Sequence, residues 1–191
     1  MKRIYPLLLL SLFLFGMQPT ARAAQCAGVE MQDSVTLDGQ SLVLNGLGLR
    51  LATFVKVKVY VAGLYVPKQS DQAQKLLSKD QRWQLLLSFL RSVDAHDMVK
   101  AWNEGFENNA KAQLPALKDR IGNLNRVMKD LKEKDTLIFA YMPGEGTRIE
   151  VKGQTAATIK GQDFASALLS IWLGDPPNDE IKRGLLGGKC E

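Results

Sequence analysis

From residue 35 onwards, short apolar runs separated by turn residues predict β-structure. Residues 35–37 and 41–44 flank the dipeptide Asp38-Gly39, which is typical of a two-residue hairpin turn. Residues 83–90 are apolar almost throughout, which predicts a central strand that is buried on both faces. A hairpin and a core strand are therefore expected in the first half of the chain.

A second strand is indicated by strict alternation from Val55 to Val61. The valines share one face, while Lys56, Lys58 and Tyr60 share the other. Pro67 is expected to end this strand, because proline cannot donate to a sheet. The pattern predicts a long strand with one apolar side.

Five further segments are expected to be helical. A short helix is expected around residues 72–77, and a longer one from Ala95 to about Asn108 with Asp94 as its N-cap. Apolar residues spaced three and four apart predict helices over 117–131 and 164–172. A last short helix, capped by Asn178, is expected to run through Leu186.

Three strand-like segments with tight turns lie between these helices, at residues 136–142, 147–151 and 155–159. Hairpins joined in sequence favour a largely antiparallel sheet with helices packed on it, rather than alternating βα units. The fold class predicted is therefore α+β.

The N-terminus has the three-part layout of a secretory signal: Lys2 and Arg3, an apolar run over 7–15, and small residues around Ala23. The apolar run is about half of the roughly 20 residues that an uncleaved membrane anchor needs. We therefore expect residues 1–23 to be a cleaved signal peptide and 24–191 to form one domain. The predicted location is periplasmic or secreted, with no stable membrane insertion after cleavage.

Export changes the interpretation of the two cysteines, Cys26 and Cys190. An even number of cysteines in an oxidising compartment, without CxxC spacing or a nearby histidine partner, favours a disulfide over a metal site. Two separate free thiols are the alternative. A bond between them would join the two ends of the mature chain.

Charge and motifs exclude several functions. Three of the 25 basic residues lie in the predicted signal, which leaves 22 against 20 acidic residues. No block of like charge supports nucleic-acid binding or a membrane-surface site. The single histidine argues against a catalytic metal, and no phosphate-binding or dinucleotide motif is present, so no cofactor is expected.

Several segments together resemble the chalcone isomerase-like family, in particular its exported bacterial branch. They are residues 44–50 (LNGLGLR), 58–66 (KVYVAGLYV), 101–106 (AWNEGF), 143–147 (PGEGT), 161–177 (GQDFASALLSIWLGDPP) and 185–187 (LLG). The resemblance implies an open-faced β-sandwich, in which a large antiparallel sheet is covered by a helical layer with a ligand cleft between them.

The resemblance also implies site residues. Members of this superfamily close a flavonoid ring or bind fatty acids, and both uses need an apolar cleft with a cation for an anionic oxygen. Arg50 matches the family arginine and could hold a carboxylate through two parallel hydrogen bonds, although a structural salt bridge at a turn is the alternative. Tyr60, where the isomerases carry threonine, either lines the cleft or lies in water.

His96 and Asn103 take the place of a tyrosine and asparagine that the isomerases carry seven residues apart on the first long helix. Seven residues make two helical turns, so the two side chains are expected to project in one direction, towards the cleft. His96 would donate a hydrogen bond to the ligand, or it is a plain surface histidine. Trp102 and Trp172 are expected in the core.

Three functions remain open from the sequence. The first is non-catalytic binding of a small fatty-acid-like or aromatic acid by Arg50, Tyr60, His96 and Asn103. The second is a structural or interaction protein whose cleft is filled by side chains. The third is an isomerase or lyase acting on an unsaturated ketone, which the replacement of the tyrosine by His96 disfavours.

Overall fold

The computed structural model describes residues 23–190. Seven antiparallel strands form one sheet in which each strand pairs with the next along the chain. These strands are β3 (Ser34–Leu37), β4 (Gln40–Ala52), β5 (Val57–Val66), β6 (Trp83–Phe89), β7 (Thr136–Met142), β8 (Gly146–Val151) and β9 (Gln154–Ile159). A separate hairpin precedes the sheet and consists of β1 (Ala23–Cys26) and β2 (Val29–Gln32).

Five helices complete the fold: α1 (Ala73–Ser78), α2 (Ala95–Ala110), α3 (Leu114–Val127), α4 (Gln162–Leu173) and α5 (Asp179–Leu185). Their apolar faces pack on one face of the sheet and form the larger of two cores. The smaller core lies on the other face, where the β1–β2 hairpin covers β4, β5 and β7. The predicted α+β sandwich with a helical layer is confirmed.

Two strands differ from their sequence-based descriptions. In β6, Trp83, Leu85, Leu87 and Phe89 are buried, whereas the alternate positions are half-buried. Burial on both faces was therefore wrong, since the β1–β2 hairpin is too small to cover the whole second face. The strand predicted to begin at Val55 begins at Val57 instead.

A β-bulge breaks the predicted alternation of β5. Tyr60 pairs with Arg50 and Lys58 pairs with Leu51, so Val59 has no opposite residue. An extra residue in one strand shifts its side chains relative to the sheet faces. Val59 and Tyr60 consequently both face the helical layer, and Tyr60 does not share an exposed face with the lysines.

Neither predicted N-cap uses its own side chain to cap its helix. The first N–H group of α2, that of Ala95, donates to Asp130 Oδ1 at 2.9 Å instead of relying on Asp94. The Asn178 side chain bonds to the backbone of β4 and to the Glu180 side chain, and not to a backbone N–H of α5. A tertiary partner has therefore replaced the local cap of α2, whereas the predicted capping residue of α5 binds β4 instead.

The backbone of α5 lies directly on β4. A Cβ atom on Gly48 would stand 2.3 Å from the carbonyl oxygen of Ile181, and one on Gly184 would stand 2.1 Å from that of Leu47. Such distances are far shorter than a non-bonded van der Waals contact between carbon and oxygen, so only glycine fits at these two positions. The pair of glycines fixes α5 beside the strand that carries Arg50.

Cys26 and Cys190 form the expected disulfide, with their Cα atoms 5.7 Å apart. The bond ties β1 to the end of the described chain. The predicted signal peptide falls on residues that lie outside the described range, apart from Ala23, and stays a prediction. Within residues 23–190, no helix is long and apolar enough to cross a membrane.

Candidate functional site

A cleft of about 600 Å³ opens between the sheet and α2. Side chains of β4, β5 and the end of β6 form one wall, and α2 forms the other. The loop between α4 and α5 closes one side with Asp175 and Pro177. Apolar groups supply much of the lining: Val59, Phe89, Val93, Met98, Ala101 and Trp102.

Arg50 lines this cleft and is half-buried. Its Nη1 donates to the backbone carbonyl of Leu51 and lies 3.5 Å from Asn178 Oδ1. No carboxylate of the described chain lies within salt-bridge distance of it. The guanidinium is therefore held in place by neutral oxygens, and its charge is left without a protein counter-ion.

Asn178 is the residue that connects Arg50 to the last helix. Its amide nitrogen donates to the Leu49 carbonyl at 3.2 Å, and its amide oxygen accepts from the Leu51 N–H at 3.2 Å. These two bonds extend the edge of β4 as a neighbouring strand would. The same amide oxygen faces Arg50, so the side chain fixes both the strand and the guanidinium.

Tyr60 stands directly opposite Arg50 across β4 and β5, and it also lines the cleft. Its side chain is only 4% exposed. The Trp172 Nε1–H donates to the Tyr60 hydroxyl oxygen at 3.0 Å, which leaves the hydroxyl hydrogen available to another acceptor. Burial raises the pKa of Tyr60 to about 12, against the smaller opposing effects of Trp172 and Arg50. The phenol is thus a neutral donor at ordinary pH.

His96 and Asn103 share a face of α2 that does not line the cleft. His96 is exposed, and Asn103 accepts a hydrogen bond from Asn125 Nδ2 at 3.0 Å, which joins α2 to α3. Neither side chain lines the cleft. The expectation that both project into it is corrected by the helix phase: the cleft face of α2 carries Asp97, Met98, Ala101, Trp102 and Gly105.

Trp102 belongs to the core, as predicted, but it also reaches the cleft. Its ring packs against Trp172, with centroids 5.3 Å apart, and against Phe139 at 6.2 Å. The buried Nε1–H of Trp102 has no acceptor within the described residues. An orphan buried donor beside a cleft is uncommon and marks a place where a ligand oxygen could bind. The sequence did not predict that Trp102 lines the cleft, because its position fits the apolar stripe of α2 and indicates only a core residue.

Carboxylates surround the mouth of the cleft. Asp94, Asp97, Glu104 and Asp175 are exposed and line its outer part, together with Arg91. No group of three or more metal-ligating side chains occurs within the range 23–190. The half-buried positive charge of Arg50 therefore lies beyond an acidic, solvated rim.

Comparisons with known proteins agree with this architecture. A family model described as chalcone isomerase-like matches residues 23–187. The chain belongs to the chalcone isomerase-like family. The crystal structure of the Arabidopsis thaliana fatty-acid binding protein AtFAP1 superposes on it with a TM-score of 0.67 and 16% sequence identity. The match covers 86% of this chain and 96% of the plant protein.

At this level of identity, the likeness to AtFAP1 establishes the chalcone isomerase-like fold and no more. No curated protein sequence matches the chain. The expected family and sandwich fold are both confirmed by these comparisons.

Proposed function

We propose that this protein is a non-catalytic binding protein for a small apolar acid, of the fatty-acid-like or aromatic kind. The observation that carries the proposal is the pairing of Arg50 with Tyr60 in a cleft that also offers apolar side chains to a ligand. Its volume of about 600 Å³ lies within the range of ligand pockets, roughly 300–1,000 Å³. The plant neighbour is a fatty-acid binding protein, which supports the same ligand class.

The two polar side chains suit a carboxylate. One oxygen would accept from the guanidinium of Arg50, which no carboxylate of the described chain neutralises, and the other from the hydroxyl of Tyr60. Charge-assisted hydrogen bonds of this kind are shorter and stronger than neutral ones, and more so where water is excluded. The apolar tail would then lie against Val59, Phe89 and Met98.

The side chains near Arg50 and Tyr60 favour binding over isomerisation. A general base must be able to take a proton near neutral pH, and the pKa of about 12 keeps the Tyr60 phenol protonated there. His96, which stands where the isomerases carry a tyrosine, lies outside the cleft, and the carboxylates that line the cleft are confined to its exposed outer part. The interaction-protein alternative required a cleft filled by side chains, whereas the cleft is open.

The proposal includes export to an oxidising compartment. A disulfide between Cys26 and Cys190 supports it, because such bonds persist mainly outside the cytoplasm. Cell fractionation and N-terminal sequencing of the mature protein would test this directly. Cleavage near Ala23 is expected, and an intact N-terminus in the cytoplasmic fraction would refute it.

The ligand test is mass spectrometry of a denaturing extract of the purified protein, together with calorimetric titration with decanoate. We expect Arg50→Ala to lower decanoate affinity by about 10- to 100-fold, as loss of a charge-assisted bond implies. Arg50→Lys should recover only part of it, because an ammonium lacks the planar fork that lets the guanidinium bind the Leu51 carbonyl and a ligand oxygen at the same time. Arg126→Ala, on the exposed side of α3, is the matched control.

Two results would refute the binding proposal. One is a purified protein that carries no acid and shows no heat on titration with fatty or aromatic acids. The other is binding that Arg50→Ala and Arg126→Ala leave equally strong. The first result would favour the interaction-protein alternative.

A further inference from the structure

The turn between β4 and β5 exposes two apolar side chains at its tip. Phe54 is 96% exposed and Val55 is 61% exposed. These are the two most exposed large apolar residues of the described chain. Single exposed apolar residues are common on soluble proteins. An adjacent pair at the end of a hairpin forms a small apolar patch, and such patches often mark interaction sites.

The conformation of the turn holds this pair outward. Thr53 and Lys56 both have left-handed backbone conformations, with φ of 62° and 53°. The Lys56 N–H donates to the Thr53 carbonyl at 3.1 Å and closes the turn. Non-glycine residues adopt such φ values at an energetic cost, so the tip is a defined structure and not an extended strand.

The tip stands beside the cleft. Arg50 and Ala52, immediately before it, and Val59, shortly after it, all line the cleft. A surface that bound Phe54 and Val55 would therefore lie close to the entrance through which a ligand passes.

Basic residues flank the tip. Lys56 keeps its side chain 70% exposed while its ammonium lies 3.3 Å from Glu180. Lys58 is exposed and has no carboxylate partner among the salt bridges of residues 23–190. An apolar tip with lysines just behind it matches the order of layers in an anionic lipid surface, where acyl chains lie beneath charged head groups.

We propose that the 53–56 turn docks on an anionic lipid surface, with Phe54 and Val55 entering the head-group boundary and Lys58 contacting the head groups. A second protein copy fits less well, because stable protein interfaces bury about 1,200–2,000 Å² and two adjacent side chains supply only a small part of that. A lipid surface needs no matching shape. The proposal departs from the expectation of no membrane-surface site, because no block of basic residues marks the turn in the sequence and the alternation placed Val55 inside a strand.

Docking next to the cleft entrance would shorten the path that an apolar acid takes through water between the lipid surface and the cleft. This second step rests on the proposed ligand binding, whereas docking itself does not. The two can therefore be tested separately.

The experiment is sedimentation of the full mature protein with vesicles of phosphatidylglycerol and, separately, of phosphatidylcholine. We expect the protein to bind the anionic vesicles. The vesicle affinity of Phe54→Ser/Val55→Ser should be lower by at least about tenfold, because the variant no longer buries two apolar side chains in the lipid. Lys58→Gln should reduce the preference for phosphatidylglycerol. Val43→Ser removes the third exposed large apolar residue, at 36% exposure, and should bind as the unaltered protein does.

Calorimetry with decanoate in solution separates this inference from the proposed function. The Phe54→Ser/Val55→Ser variant should keep its decanoate affinity while losing vesicle binding, and Arg50→Ala should show the reverse. Docking is refuted if the anionic vesicles do not bind the protein, or if the double variant and Val43→Ser bind them equally. It is also refuted if the double substitution converts a dimer into a monomer in sedimentation velocity, since the tip would then be a self-association site.

Discussion

At the scale of single residues, Tyr60 combines an apolar environment around its ring with a hydrogen-bonded oxygen. Its ring packs against Phe89, with centroids 5.4 Å apart, and its oxygen accepts from Trp172. Because the oxygen accepts from Trp172, the hydroxyl hydrogen remains available for donation. The residue can therefore act as a neutral hydrogen-bond donor next to Arg50.

The burial of this phenol predicts a loss of stability at alkaline pH. The pKa is about 12 in the folded protein and 10.0 without the fold, so the stabilising contribution is complete below pH 10. It is lost as the pH rises from 10 towards 12, because the unfolded chain releases its proton first. At pH 11 the loss for one such group is about 1.4 kcal/mol.

Urea unfolding of Tyr60→Phe and of the unaltered protein between pH 9 and 11 would measure this contribution. The variant should lose less stability over that interval, although Tyr65, whose pKa burial likewise raises to about 12, keeps its own share. Equal losses in the two proteins would show that Tyr60 ionises normally.

The polar residues of the cleft were predictable only in part. Arg50 and Tyr60 were selected because their segments resemble the chalcone isomerase-like family, whereas their pairing across β4 and β5 is known only from the structure. The helix residues His96 and Asn103 were chosen by their spacing of seven, which fixes that they share a face but not which face it is. The inward side of α2 is instead given by the buried stripe of Met98, Trp102 and Phe106.

At the scale of elements, the contact between α5 and β4 positions the cleft. Asn178 at the start of α5 bonds to the backbone of β4 on both sides of Arg50. Farther along, Asn45 donates to the Leu185 carbonyl at 2.6 Å, so the other end of α5 is also bonded to β4. The helix is thereby held along its whole length against the strand.

Asn178→Ala tests whether this contact positions Arg50. The substitution should weaken decanoate binding by about 3- to 10-fold, because the guanidinium loses a neighbouring acceptor and its strand loses two bonds. It should also lower the free energy of unfolding by about 1–3 kcal/mol. Asn123→Ala, on the exposed face of α3, is the control and should change neither quantity. Unchanged decanoate affinity in Asn178→Ala would remove the residue from the site.

The glycine contact between the same two elements gives a sharper test. Gly184→Ala places a Cβ atom 2.1 Å from the Leu47 carbonyl oxygen, so the backbone of α5 or β4 must move. We expect a loss of at least about 2 kcal/mol in the free energy of unfolding, as overpacking against backbone implies. Gly122→Ala in α3 meets no atom within 4 Å and should instead stabilise the protein by up to about 1 kcal/mol.

Thermal or urea unfolding of the two alanine variants measures both effects. Similar stability in Gly184→Ala and Gly122→Ala would mean that α5 does not pack on β4 as described. Ligand affinity should fall in Gly184→Ala alone, since Gly184 lies opposite the strand that carries Arg50.

Periodicity predicted the larger elements well but not their local departures. Stripes in α2, α3 and α4 and the turns of the β7–β9 meander are signals contained within each segment. The bulge at Val59 and the exposed turn at 53–56 depend on how β4 and β5 register against each other. No pattern within one strand carries that information, so Val55 was assigned to the apolar face of a strand.

At the scale of the whole molecule, the sheet separates two hydrophobic cores, each covered by a different structural element. The helical layer covers one face and contains the cleft, while the β1–β2 hairpin covers the other with Met31 and Cys26. Met31 Sδ would lie 2.4 Å from a Cβ on Gly63, which shows how closely the hairpin approaches β5. The disulfide to Cys190 secures this small covering element.

The disulfide should therefore matter for stability and not for binding. It closes a loop with a sequence separation of 164 residues, and Cys26→Ser/Cys190→Ser should lower the free energy of unfolding by about 2–4 kcal/mol. The β1–β2 hairpin loses its anchor in that variant, so proteolysis should cut first near residues 27 and 33. Decanoate affinity should stay within about twofold, because the cleft lies on the opposite face of the sheet. If removing the bond abolished decanoate binding in a folded variant, the two faces of the sheet would have to be coupled, and the independence of the two cores would be disproved.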